Sequence, residues 1–220
     1  MIQLPDATDA FQHENAFYLT CSVDRIAKLV AHYELFKSIL PCNGAIVECG
    51  VYKGASLSRF AMFRELLEPE GNRELVAFDS FGAFPETEFE GDKYLRDRFV
   101  RVAGLDSISR EQMMSVLHQK KCENGVQLHE GDICKTVPKV VGERPDLQIA
   151  LLNLDVDLYE PSVVVLEHLF PRIVPGGILI LDDYNSFPGE TKAADDYFAG
   201  SVYEILPSSL YPSIYYVKKG

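Results

Sequence analysis

Short apolar runs rich in Val, Ile and Leu recur along the chain, and each closes on an acid or a glycine. They are AIVECG (45–50), ELVAFD (74–79), VQLHEGD (126–132), IALLNLD (149–155) and GGILILDD (176–183). Near-continuous runs of this kind are what strands covered on both faces require, and their alternation with helical patterns predicts a parallel sheet. Helical spacing or composition fills 56–68, 109–121, 160–170 and 190–199. The third of these starts well, because Glu160 suits the positive helix N-terminus and Pro161 is tolerated in a first turn.

The two ends break this rhythm. SVDRIAKLVAHYELFKSIL (22–40) carries apolar residues at 26, 29, 30, 33, 36, 39 and 40, the stripe of an amphipathic helix, and Ser22 or Asp24 can cap it. VYEILPSSLYPSIYYVKK near the C-terminus reads as strand, Pro/Ser turn, strand: an antiparallel hairpin at the sheet's edge. The stretch 80–108 has no clean period and is longer than a plain connection, as lids and substrate-binding segments often are. The expected fold is α/β: one doubly wound domain over residues 1–220, with a mostly parallel sheet and an N-terminal helical arm (1–42).

Composition narrows the function. Hydrophobic residues at 47% and charged residues at 25% suit a globular protein with one core. No segment reaches the roughly 18 consecutive apolar residues of a membrane span, and the N-terminus lacks the basic start and apolar run of a secretory signal, so no membrane partner and a cytoplasmic location are expected. The five cysteines form no pair at metal-ligand spacing and read as reduced thiols. With 21 basic against 33 acidic residues and a net charge of -12, nucleic acid is a poor partner, since its affinity comes largely from Lys and Arg on phosphates. A small-molecule substrate fits better. The apolar N-terminal helix suggests a homodimer contact.

In open α/β sheets ligands bind outside the carboxyl ends of the strands. Glu48 with Gly50, Asp79, Asp132, Asp155 with Asp157, and Asp182 with Asp183 would all meet at that edge. In VECGVYKGAS (47–56), Gly50 and Gly54 permit a tight turn and close ligand approach. Plain helix–strand packing would explain the same glycines. The spacing is not the Gly-x-Gly-x-x-Gly of dinucleotide folds, and Glu48 would repel a pyrophosphate while suiting a cationic group. Asp79 stands where an acid accepts from ribose hydroxyls, and Asp132 could reach an adenine amino group. A cationic group, a ribose and an adenine together describe S-adenosylmethionine.

NLDVD and LDDY look like a metal site. Asp155, Asp182 and Asp183 would supply three carboxylates to a hard cation such as magnesium, which keeps positions open for water or substrate oxygens. No compensating cation lies nearby in the sequence. The alternative is that Asp182 and Asp183 merely open a loop.

With VECGVYKGAS, AFDSFGAFPE, LNLDVDLYEPS and PGGILILDDY in this order, and SVDRIAKL ahead of them, the chain resembles the macrocin O-methyltransferase family over roughly residues 20 to 200. These are metal- and S-adenosylmethionine-dependent enzymes that methylate sugar and related hydroxyls in antibiotic biosynthesis. The resemblance implies a Rossmann-like, class I methyltransferase fold with a seven-stranded sheet. It implies Asp155, Asp182 and Asp183 as ligands of Mg2+ or another divalent ion, and Asp157 as general base. It also implies Glu48, Gly50, Tyr52, Gly54 and Ser56 in the turn around the cofactor's methionine end, Asp79 and Ser80 at the ribose, and Asp132 at adenine. The chain departs from the family in its shortness and in Val156, which stands where a glycine is usual. Rival readings are a dehydrogenase, a metal-independent methyltransferase and a non-catalytic S-adenosylmethionine binder.

Overall fold

The five apolar runs form five parallel strands: β1 (Ala45–Cys49), β2 (Leu75–Asp79), β3 (Val126–Glu130), β4 (Ile149–Leu154) and β5 (Ile173–Leu181). The structure is a computed structural model that describes residues 1–71 and 73–220. The predicted hairpin is present as the short strands β6 (Leu206–Pro207) and β7 (Tyr215–Lys218), with β7 antiparallel to β5. The sheet has seven strands in the order β3-β2-β1-β4-β5-β7-β6. The chain therefore runs outward in one direction from β1 and in the other from β4. That reversal is the topological switch point, where open α/β sheets hold their ligands.

Side chains alternate along each strand, and both faces are covered, which is why the runs are continuously apolar. Val47, Val76, Leu152 and Leu179 face a core with α6 (Ile133–Glu143), α7 (Tyr159–Leu169) and α8 (Pro188–Phe198). Ile46, Ala77, Leu151 and Ile180 face the opposite core with α2 (Val23–Ser38), α3 (Ala55–Leu67) and α5 (Arg110–Gln119). On α2 the buried positions are Ala31, His32, Leu35 and Phe36, while Leu29 of the expected stripe is exposed. The helix is thus rotated from its apolar pattern, and a histidine turns inward.

Three helices go beyond the sequence reading: α1 (Ala10–Thr20), α4 (Glu90–Ala103) and α6. Helix α1 buries no residue. Helix α4 lies within the aperiodic stretch 80–108, and its buried residues are Asp92 and Arg96. Asp92 accepts hydrogen bonds from the Tyr159 and Gly189 amides, at the starts of α7 and α8. From α7, Glu160 accepts from the amides of Glu88 and Phe89. The stretch is therefore strapped over the turns that follow β4 and β5. Among the described residues, no helix is long and apolar enough to cross a membrane.

Candidate active site

Where β1 and β4 part, their ends stay tied. The Asp155 amide donates to the Cys49 carbonyl at 2.9 Å and the Gly50 amide to Phe78 at 2.9 Å. Gly50 takes a φ of 93° and Tyr52 a φ of 50°, the left-handed geometry that lets this turn fold tightly. Asp79 clasps the turn: its Oδ2 accepts from the amides of Val51 (2.6 Å) and Tyr52 (3.1 Å), and its Oδ1 from Phe81 (2.6 Å). Its carboxylate already holds three backbone donors, so the turn's shape depends on it. Ser80 donates to the Ala83 carbonyl, and Tyr52 reaches the Ala103 carbonyl at the end of α4. Gly54, with a φ of 82°, starts α3.

Carboxylate oxygens of Asp155, Asp182 and Asp183 all lie within 4.8 Å of one another. They come from the ends of β4 and β5, adjacent parallel strands in which Leu154 pairs with Leu181. Burial, then the charges of Asp182 and Asp183, push the Asp155 carboxyl well above its ordinary range. Burial and the neighbouring Asp157 and Asp182 do the same to Asp183. Asp157 sits at a φ of 62°, a left-handed conformation that aspartate tolerates better than most residues. Its carboxyl is raised to about 7, chiefly by burial and then by the charge of Asp155.

The cluster is not without cations, as the sequence suggested; they arrive from the N-terminal helices. The Lys28 ammonium is in contact with Asp182 Oδ2. His32 Nε2 lies 3.2 Å from Asp182 Oδ1, and Arg59 Nη1 lies 2.7 Å from His32 Nδ1. Guanidinium only donates, so His32 Nδ1 accepts and Nε2–H donates to Asp182. Burial alone would raise Asp182, but the His32 hydrogen bond and Lys28 outweigh it and hold this carboxyl below its ordinary range. Burial also keeps His32 below its ordinary value, despite the adjacent carboxylate.

Two further polar side chains lie beneath. Glu48, in register with Asn153 on the next strand, is fully buried and accepts from Ser56 Oγ at 2.6 Å. Its Oε2 and both amide atoms of Asn153 make no hydrogen bond among the described residues. Burial pushes Glu48 up to about 8. Glu190, in the first turn of α8, accepts from the Asp183 amide at 3.0 Å and orients that loop.

The structure thus gathers Asp155, Asp157, Asp182 and Asp183 at one point and Glu48, Gly50, Tyr52, Gly54, Ser56, Asp79 and Ser80 around the neighbouring turn. Asp132 follows Gly131, whose amide donates to the Asp79 carbonyl at 2.9 Å; its own carboxylate caps α6 through the Cys134 amide and pairs with Lys135 at 2.9 Å. Lys28, His32, Arg59, Asn153 and Glu190 were missed by the sequence reading. Lys28 and His32 carried a usable signal, since they are four residues apart on the helical face that continues into Leu35, Phe36 and Ile39.

The model of the macrocin O-methyltransferase family matches residues 7–203. The chain belongs to that family. Within it, 32% identity over 147 residues links the chain to 8-demethyl-8-(2,3-dimethoxy-alpha-L-rhamnosyl)-tetracenomycin-C 4'-O-methyltransferase of Streptomyces olivaceus, covering 64% of this chain and 53% of that protein. Demethyldecarbamoylnovobiocin O-methyltransferase of Streptomyces niveus is 28% identical over 162 residues, 71% of this chain and 58% of that one. The alignments therefore span little more than half the length of these curated relatives. The solved structure of CalS11, a calicheamicin methyltransferase, superposes with a TM-score of 0.78 at 26% identity, covering 100% of this chain and 95% of that one. The O-methyltransferase NovP, at 23% identity and a TM-score of 0.76 over 88% of this chain and 80% of its own, shares the fold.

Proposed function

We propose that the chain is an S-adenosylmethionine-dependent O-methyltransferase acting on a hydroxyl of a small molecule, a sugar or sugar-bearing natural-product intermediate, with the help of a divalent cation. The observation that carries this is the meeting of Asp155, Asp182 and Asp183 within 4.8 Å, beside the Asp79-clasped turn at the sheet's switch point. The activities named for the relatives, on a rhamnosyl tetracenomycin and on demethyldecarbamoylnovobiocin, support the acceptor class.

The residues fit both a divalent ion and S-adenosylmethionine. Three carboxylates from two adjoining loops are the donor set of a hard divalent ion. The buried Glu48 Oε2, without a partner among the described residues, suits the amino group at the methionine end of the cofactor. When bound, the ion would stabilise negative charge on the acceptor oxygen and S-adenosylmethionine would supply the methyl group.

Everything else falls to this chain's own side chains. Asp155, Asp182 and Asp183 would hold the ion, and Asp157 takes the hydroxyl proton. Even raised to about 7, the Asp157 carboxyl is too weak a base to deprotonate an aliphatic hydroxyl unaided, and a divalent charge beside the acceptor oxygen would narrow that gap. The His32–Arg59 pair orients Asp182, and Glu190 orients the loop of Asp183.

A second reading has one observation in its favour. Lys28 already supplies a cation to Asp182, and a metal-independent transferase would use that ammonium where the first reading uses an ion. Release of S-adenosylhomocysteine across a panel of glycosylated and phenolic acceptors, with magnesium and with excess chelator, separates the two. The first reading expects turnover only with magnesium; chelator-resistant turnover would favour the second.

A further inference from the structure

Among the described residues, Asp182 is the one carboxylate of the cluster whose two oxygens both have partners, and the two contacts differ in kind. Oδ1 takes the Nε2–H of His32 at 3.2 Å. That imidazole is fully buried, stacked on Phe60 at 5.1 Å and locked in its tautomer by Arg59. This half of the contact is fixed. Oδ2 takes the ammonium of Lys28, at the tip of a flexible four-carbon stem near the start of α2, with its side chain 23% exposed. This half can leave. Among the described residues, no other lysine or arginine pairs with Asp155, Asp182 or Asp183.

We propose that Lys28 is the resident counter-ion of the carboxylate cluster, and the group that a divalent cation displaces from Asp182 when it binds. The inference rests on the metal-assisted reading above. An ammonium in contact with Asp182 Oδ2 and a divalent ion shared by the three carboxylates would compete for one oxygen and repel each other. Lys28 leaves the emptied cluster one unit less negative, so it holds three buried-edge carboxylates together without the ion. Displacing it requires a cation of higher charge, which selects divalent over monovalent ions. His32 and Arg59 keep Asp182 aimed during the exchange.

Isothermal titration calorimetry with magnesium and with manganese at pH 8, on the protein without cofactor or acceptor, tests this directly. Lys28→Met and Lys28→Gln keep the length of the stem and remove the charge; Lys28→Arg keeps a charge. The neutral variants should bind either ion at least about tenfold more tightly than the wild type, as expected when a competing cation is removed from a partly buried carboxylate. Lys28→Arg should gain nothing. A merely structural role would loosen the site on substitution, so tightening is its opposite signature. Two neutral variants guard against one that fails to fold, and circular dichroism confirms each. Neutral variants that bind no more tightly than a wild type that does bind ion would overturn the proposal and leave the metal site standing. If neither the wild type nor any variant binds either ion, the metal reading itself fails, and the proposal with it.

Discussion

Gly50 lies directly against the backbone of Asp155: a Cβ on Gly50 would overlap the Asp155 carbonyl oxygen. With its φ of 93°, the position has two reasons to be glycine, one conformational and one steric. The contact joins the cofactor-side turn to the strand end that carries the cluster. Gly50→Ala should therefore lose at least about 3 kcal/mol of stability, the combined scale of a strained backbone and an overpacked contact. Urea unfolding measures it, and an unchanged midpoint would mean that β1 and β4 part further back than described.

The buried Glu48 separates packing from binding. Burial raises it to about 8, so at pH 7 it is mostly protonated in the folded protein without ligand. Glu48→Gln is then close to isosteric and isoelectric, and thermal stability at pH 7 should change little. Binding of S-adenosylmethionine should weaken about ten- to hundredfold, because a charge-assisted hydrogen bond to the amino group is worth roughly 1.5–3 kcal/mol. Calorimetry with the cofactor checks this; unaltered affinity would remove Glu48 from the cofactor site.

Proton linkage gives a third expectation, for the metal-free protein. Asp157 is raised to about 7 and Glu48 to about 8, and Asp155 and Asp183 are raised as well. Groups raised in the folded state bind more protons there than in the unfolded chain. Their contribution to stability is thus complete below the ordinary carboxylate range of about 4 and falls as pH rises through the folded values. Asp182, held low by His32 and Lys28, has the opposite sign and loses its contribution as pH drops below that range. The melting temperature without metal should decline between about pH 5 and pH 8. Magnesium, which needs the charged carboxylates, should raise it more at pH 8 than at pH 5. An equal or reversed increment would show that the ion does not bind this cluster.

Much of the fold was legible because β1, β2, β4 and the second half of β5 are buried on both faces and so leave unbroken apolar runs. The elements that escaped lack that signature. Helix α4 packs with Asp92 and Arg96 inward, so its buried face is charged and shows no apolar period. Helix α1 buries nothing and has no face to advertise. Helix α6 does carry Ile133, Val137, Val140 and Val141 in helical spacing and runs through Pro138, a residue that argues against a helix when only the sequence is read. At the site, strand ends were readable from sequence because topology carries them to one rim. Lys28 and His32 were visible only as neighbours on one helical face; that they meet Asp182, about 150 positions away, is set by tertiary packing, and Arg59 joins through His32. Asp79 shows a related limit: its place at the end of β2 was evident, but not that backbone amides would engage both its oxygens.

The division of labour between Asp155 and Asp157 is the central claim, and a magnesium titration of methyl transfer tests it most directly. It is run on the wild type, Asp155→Asn and Asp157→Asn with one accepted hydroxyl substrate. The wild type should be silent in excess chelator and recover with magnesium. Asp155→Asn keeps an oxygen but loses a charge, so its activation should shift to higher magnesium and regain part of the rate there. Asp157→Asn should still bind ion and cofactor, yet turn over about 10²–10⁴-fold more slowly at every magnesium concentration, the range for loss of a general base. Identical magnesium responses of the two variants, or full wild-type turnover in chelator, would contradict the account.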